Sequence, residues 1–240
     1  MINKIEGWKT PQNILVILAH PDDPEFFLGG TIARWTRMGH RVRYILLTHG
    51  DKGGKDISLL PDEIAKIRVE EQINAANILG VKHVQFMNYS DGYLMPGLEV
   101  RRVVTRLIRK EQPDILVSCD PTNLFVNNHY INHPDHRAAG QIVVDALFPA
   151  SGDPYYFPDL LSDGYATHAP KELWLSLTAN PDTVIDVTDT WDQKIAALKE
   201  HKSQIGDPEV FEERMRSRFV ENSSAENPRY EEHFKRFIFS

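Results

Sequence analysis

A chain of 240 residues can bury most of its unfolded surface in one larger domain, with no need of disulfides or other staples. Its 41% hydrophobic and 25% charged residues are the composition of an ordinary soluble globular protein. Lys plus Arg number 27 against 34 Asp plus Glu, a formal net charge of −7, which argues against a general binder of nucleic acid or anionic membrane and leaves open only a local basic patch.

The polar start "MINKIEGWKT" has no apolar signal segment, and no run reaches the roughly 18 to 20 apolar residues of a bilayer span. The expectation is a cytoplasmic protein without stable membrane insertion. "NILVILA" (13–19) and "RVRYILLT" (41–48) are short, β-branched and apolar, and read as buried strands. Between them "GGTIARWTRMGH" places Ile32, Trp35 and Met38 on one helical face, with Gly39 as the stop. A second helix opens with Pro61, Asp62 and Glu63 and closes on Gly80. "HVQFMN" (83–88) is a third strand, "LEVRRVVTRLIRKEQ" a third helix, and "DILVSC" (114–119) a fourth strand, where Cys119, the single cysteine, reads as a small buried residue.

The stretch 149–170, rich in Pro, Gly, Asp and aromatics, reads as a long functional loop whose aromatics wall a pocket. "ELWLSL" (172–177) is a fifth strand, and "DTWDQKIAALKEHKSQ" reads as one more helix. The charged, aromatic tail packs either across the domain or against a partner subunit. Strand alternating with helix predicts a Rossmann-like doubly wound α/β fold: a mainly parallel sheet with helices on both faces, in a single domain. The core covers about 13–204, with 205–240 as a C-terminal extension.

Two short stretches carry the chemistry. "AHPDDPEF" (19–26) puts His20, Asp22 and Asp23 at the carboxyl edge of the first strand, and "NHPDHRAAG" (132–140) follows the fourth. With strand order 3-2-1-4-5 these edges are neighbours at the switch point, where doubly wound folds bind ligands. Taken alone, "HPDD" is a turn whose aspartates cap a helix, and "NHPDH" a helix start with Pro134 in the first position. Together they form a candidate metal site. His20 and Asp23 can share one tight turn, His136 can supply a third ligand, and an open fourth position marks catalytic zinc. Asp22 is then free to act on the metal's water, and a cation removes the repulsion between the paired carboxylates.

These residues resemble the LmbE-like, or PIG-L, family of zinc-dependent N-deacetylases. The likeness rests on "AHPDDPE" followed by "GGT", and on "HPDHRAAG". It continues in "LTHGDKGG" (47–54), "RVEEQINAANILG" (68–80), "YSDGYL" (89–94) and "KIAALKEHKSQ" (194–204), and so spans most of 13–204. Pro24 separates Asp23 from Glu25, where many members have Glu directly after the aspartates, so Glu25 receives no role. The resemblance implies Zn2+ held by His20, Asp23 and His136, with Fe2+ or Co2+ able to occupy the same ligands. It implies Asp22 as general base for attack by the zinc-bound water. It implies His133 as the group that polarises the carbonyl or stabilises the oxyanion, and Asp135 as the residue that orients and charges His133. Arg68 and Asp91 match sugar-contacting positions. The implied activity is removal of an N-acetyl group from an N-acetylglucosamine-type sugar or conjugate, and the implied assembly a homo-oligomer, trimer or hexamer.

The same residues leave rivals. A thiol-sugar conjugate amidase would share the mechanism, and a non-catalytic sugar-binding protein would keep the metal alone. An iron oxygenase triad would want an antiparallel β framework, a two-metal phosphoesterase more ligands, and a serine hydrolase a G-x-S-x-G elbow that is absent. His129 and Asn128 read equally as pocket lining or surface loop, and His201 as a helix-end or pocket-edge residue.

Overall fold

The computed structural model describes residues 6–126 and 130–239. The first apolar run is β1 (Asn13–Leu18), almost wholly buried, as a strand covered on both faces must be. It leads to α1 (Asp23–Arg37), β2 (Arg41–Thr48), α2 (Pro61–Ile78), β3 (His83–Tyr89), α3 (Leu98–Glu111) and β4 (Ile115–Cys119). A small hairpin of β5 (Phe125–Val126) and β6 (Tyr130–Ile131) precedes α4 (Pro134–Asp145), α5 (Pro158–Ser162) and β7 (Glu172–Ser176). The chain ends with β8 (Thr183–Asp186), α6 (Trp191–Leu198), α7 (Lys202–Ile205), α8 (Pro208–Arg216) and β9 (Glu231–Ile238).

The main sheet runs β3-β2-β1-β4-β7-β9-β8. Its first five strands are parallel and in the expected 3-2-1-4-5 order, with β9 antiparallel to both β7 and β8. Ile14, Val16 and Leu18 face one layer with Ile32 and Trp35 of α1, Ala75 of α2 and Ile195 of α6. Leu15 and Ile17 face the other, with Val104 and Leu107 of α3 and Ile142 of α4. Each strand thus feeds two cores by its period of two. Cys119 is fully buried at the end of β4, and Gly39 and Gly80 take the positive φ of helix stops (85° and 82°). Among the described residues no helix is long and apolar enough to cross a membrane.

Two expectations change and one open alternative is decided. The helix expected through 189–204 is divided into α6 and α7, with His201 at the break. The stretch 149–170 walls no part of the cleft described below. The buried Arg109 of α3 gathers it instead, donating to the carbonyls of Ala150, Ser151, Asp153 and Tyr156, while His168 meets the carbonyl of Pro113. That places it at the amino end of β4, opposite the site. The tail, finally, is built into the sheet as β9.

The tail also stabilises an irregularity next to the site. α1 leaves helical geometry at Leu28 (φ −149°, ψ 23°). The amides of Gly30 and Thr31 turn to the Glu232 carboxylate of β9, at 3.0 and 2.7 Å. The carbonyl of Phe26, the ordinary helical partner of Gly30, takes the Lys194 ammonium at 2.9 Å. Lys194 and Glu232 pair at 2.6 Å, both buried, so the ion pair substitutes for the broken helical bonds on both sides of the kink. Lys194→Met leaves a buried carboxylate unpaired and is expected to cost about 3–5 kcal/mol in urea unfolding. A loss under about 1 kcal/mol would show that the kink does not depend on this pair.

Candidate active site

β1 ends at Leu18, and the chain turns sharply before α1. One carboxylate oxygen of Asp23, Oδ2, accepts from the amides of Ala19 and His20 at 3.2 and 2.9 Å, which folds the turn and leaves Oδ1 free. Asp22 sits at the N-cap of α1 in the left-handed region, φ 84°, and its side chain makes no capping hydrogen bond. The helix-cap role is therefore unfilled by Asp22, whose carboxylate faces the cleft instead.

α4 brings the second motif. It approaches the end of β4 so closely that a Cβ on Gly140 would lie 2.3 Å from the Cys119 carbonyl oxygen, a space only glycine leaves. His136 Nε2 then stands 3.3 Å from His20 Nδ1 and 3.0 Å from Asp23 Oδ1, with Asp23 Oδ2 3.6 Å from His20 Nδ1. Donors about 2.0–2.1 Å from one tetrahedral centre lie roughly 3.3–3.4 Å apart, so the set is sized for a single small cation. The remaining ring nitrogens are engaged elsewhere. His20 Nε2 faces Asp135 Oδ2 (3.2 Å) and Asp91 Oδ1 (3.1 Å), and His136 Nδ1 faces Asn132 Oδ1 (3.0 Å). With an N–H on each of those, the two nitrogens left for an ion are the ones turned toward each other, as in metal sites whose histidines are held from behind. The residues present fit a divalent metal ion.

The ring nitrogens of His20, His133 and His136 also come within 4.8 Å of one another, as do groups of His20, Asp91 and Asp135. The second cluster holds His20 rather than an ion. Asp135 already accepts from the amides of Gly92 (2.7 Å) and Leu94 (3.2 Å), and Asp91 from that of Lys52 (3.1 Å). His133 caps α4, its Nδ1 accepting from the Asp135 amide at 3.2 Å, so its Nε2 carries the proton. The expected pairing of Asp135 with the His133 ring is thus corrected. The helix turns the Asp135 carboxylate back toward His20, and only its backbone N–H meets His133.

Charge follows this geometry. Burial alone would lower His20, but hydrogen bonds to Asp135, Asp23 and Asp91 hold it well above its usual value. Burial pushes His133 down, with the neighbouring His20 and His136 rings adding, so it is a neutral donor near pH 7. Asp22 is raised to about 6 by burial, with Asp23 adding and Arg68 opposing. Burial would raise Asp23 too, but His136 and His20 outweigh it and hold it far below the carboxylate range.

A cleft of about 1030 Å³ opens over these groups, and Arg68 and Asp91 both line it. Arg68 is also a structural clamp. Its guanidinium donates to the carbonyls of Gly50 (2.9 Å) and Pro21 (2.7 Å) and to Asp22 Oδ2 (3.2 Å). Gly50 and Gly53 leave it room, since a Cβ on either would lie 2.2 Å from it. His201 does not line the cleft. It is fully buried against Glu25, while Ser203 and Gln204 bind Glu71 and the Gly53 carbonyl, so "HKSQ" is a clamp behind the site. His129 and Asn128 lie outside the described residues.

Phe26, Phe27, Tyr130, Leu177 and Arg218 complete the cleft wall and were not legible as site residues. Phe27 stacks edge-on against His136, and its place just past "HPDDPE" is the one signal for it. Arg218 follows α8, and its side chain has no hydrogen-bond or carboxylate partner among the described residues, whereas Lys52 and Arg68 are both engaged.

The family model described as "PIG-L: GlcNAc-PI de-N-acetylase" matches residues 15–147. The chain is 35% identical to a diacetylchitobiose deacetylase of Thermococcus kodakarensis, over 83% of this chain and 72% of that one. It is 29% identical to a probable N-acetyl-α-D-glucosaminyl L-malate deacetylase 2 of Bacillus anthracis, over 82% and 83%. The fold superposes on an inhibitor-bound N,N'-diacetylchitobiose deacetylase from Pyrococcus horikoshii with a TM-score of 0.86 and 32% identity, covering 98% of this chain and 88% of the other.

To take an ion, His20 must give up a proton that three carboxylates help it keep. Affinity for a divalent ion is therefore expected to rise about tenfold per pH unit from pH 6, and to keep rising above 6.5, where a free imidazole would level off. Chelator competition at several pH values measures this. A flat profile between about pH 6 and 8 would remove His20 from the ligand set.

Proposed function

The chain belongs to the PIG-L family of de-N-acetylases, and on that premise we propose that it removes the N-acetyl group from an N-acetylglucosamine-type sugar or conjugate, with zinc as its metal. The observation that carries the reading is the lining of one cleft: the Asp22 carboxylate and a neutral His133 presenting Nε2–H share it with the clustered His20, Asp23 and His136.

His20 Nδ1, Asp23 Oδ1 and His136 Nε2 would hold the ion. When bound, it supplies Lewis-acid charge and makes water acidic enough to be a nucleophile near neutral pH. Asp22 takes the proton from the attacking water, and Arg68 fixes which way its carboxylate points. The water oxygen bonds to the acetyl carbon as the carbonyl π electrons move onto oxygen. His133 Nε2–H donates to that developing oxyanion. Collapse breaks the C–N bond, Asp22 returns its proton to the departing amine, and acetate and a free amino sugar leave. Phe27, Tyr130 and Leu177 offer apolar surface to the sugar ring, and Asp91 and Arg68 offer polar contacts at the floor.

The homo-oligomer has one feature in its favour. Phe148, Phe237 and Phe239 line a groove of about 480 Å³ on the β9 side, and Phe148 is 79% exposed. Exposed apolar surface of this kind is what a subunit contact would use. Light scattering on the purified chain would give the assembly size.

Acetate release from a panel of N-acetylglucosamine glycosides, neutral and acidic, tests the activity. The protein carrying one equivalent of zinc is expected to turn over at least one member. Asp22→Asn should lower kcat by roughly 10³-fold or more with the metal retained, and His133→Ala by roughly 10²- to 10³-fold. Near-normal turnover by Asp22→Asn would remove the base assignment. Silence across the panel with zinc bound would favour the non-catalytic sugar-binding reading.

A further inference from the structure

The base sits on an unusual backbone. For a residue with a Cβ, φ of 84° at Asp22 is costly, and such a conformation persists only where its surroundings hold it. Two contacts do so. One is the Arg68 guanidinium on the side chain. The other is on the main chain: the Asp22 amide donates to Gln72 Oε1 at 2.8 Å.

Gln72 is itself fixed from behind. Its Nε2 lies 3.0 Å from both carboxylate oxygens of Glu25, and Glu25 Oε2 lies 3.2 Å from His201 Nε2. Gln72, Glu25 and His201 have no solvent exposure at all. The order of donors and acceptors has one solution. A carboxylate only accepts, so the Gln72 amide must turn its NH2 toward Glu25 and its oxygen toward Asp22. Glu25 thereby sets the orientation of an amide two bonds removed from the base. The chain of contacts joins α2, the first turn of α1 and the break between α6 and α7, three elements that no local sequence signal relates.

We propose that Gln72, oriented by Glu25 and His201, is a positioning residue for Asp22: it holds the base's backbone in the left-handed conformation that aims its carboxylate into the cleft. The inference rests on the reading of Asp22 as the base. A side chain that only filled space would tolerate any substitution of the same shape, whereas a polarity relay fails when one partner is inverted and recovers when both are.

The test compares Glu25→Gln, Gln72→Glu, Gln72→Met and the double variant Glu25→Gln/Gln72→Glu with the parent, each assayed as the metal-loaded enzyme. Glu25→Gln lets the Gln72 amide flip and present NH2 to the Asp22 amide, Gln72→Glu sets two carboxylates together, and Gln72→Met removes the acceptor. Each single change is expected to lower kcat roughly 10- to 100-fold, with KM within about threefold of the parent and about one equivalent of metal retained. The double change restores a donor facing a carboxylate and an acceptor facing the Asp22 amide, and kcat should return to within about fivefold of the parent. Single variants that keep kcat within about twofold overturn the proposal. So does a double variant no faster than its slower parent single, or loss of metal in step with kcat, either of which assigns the cluster to folding alone. Asp22→Asn runs alongside. If it stays active, the base assignment fails whatever the others do; if it is silent while the single variants are normal, only the positioning role falls.

Discussion

The site depends on one backbone angle. Asp22 and Asp23 are adjacent carboxylates, and in an ordinary helical first turn both would crowd the same end of α1. The positive φ at Asp22 separates them. Asp23 folds inward, one oxygen closing the turn on the Ala19 and His20 amides and the other meeting His136. Asp22 stays at the surface of the cleft, with 15% of its side chain exposed, and meets Arg68. Mutual repulsion is thereby converted into two different surroundings, which is what a pair of like groups needs in order to take different roles.

That arrangement needs β1 and β4 side by side, because the two motifs belong to different strand ends. The register Ile14↔Ile115 to Val16↔Val117 puts them there, and the close approach at Gly140 sets the depth of α4 against the sheet edge. The surrounding charge is unbalanced without a cation. His20 touches three carboxylates, and its Nδ1 faces His136 Nε2 across 3.3 Å. Such a cluster is held together by the folded frame around it: the amides of Gly92, Leu94 and Lys52 keep Asp135 and Asp91 in place as holders of His20.

Much of this was legible in the sequence, for definite reasons. The five parallel strands are short apolar runs bounded by helix signals, and they fall within a residue or two of where the pattern puts them. The two histidine–aspartate motifs place the candidate ligands because each is local, three or four residues on one turn. What the sequence hid is mostly non-local. β9 alternates properly, with Tyr230, Glu232 and Phe234 inward, but a glutamate at an inward position disguises the period. It is there because a kink at Leu28, over 200 residues away, leaves two amides to satisfy. The family resemblance pairs Asp135 with His133, whereas position in the first turn of α4 decides where each side chain points. Composition alone reads the aromatic loop 149–170 as a pocket wall, and one buried arginine, Arg109, draws it to the other end of the sheet.

The electrostatics close the argument. Asp22 and Asp23 share a side chain, a neighbourhood and a desolvation that would raise both. Only the direction of the nearest positive groups differs. Asp23 meets His136 and His20 directly and stays ionised at any working pH, as a ligand must. Asp22 meets Arg68 along one edge and a neighbouring carboxylate along the other, and rests near 6, where it can both accept and return a proton. A divalent ion would lower Asp22 further by its charge and would relieve the proton on His20. On the proposed reading the ion and the turn are therefore complementary: the turn would supply one permanent anion for binding and one adjustable carboxylate for proton transfer, from two identical residues in succession.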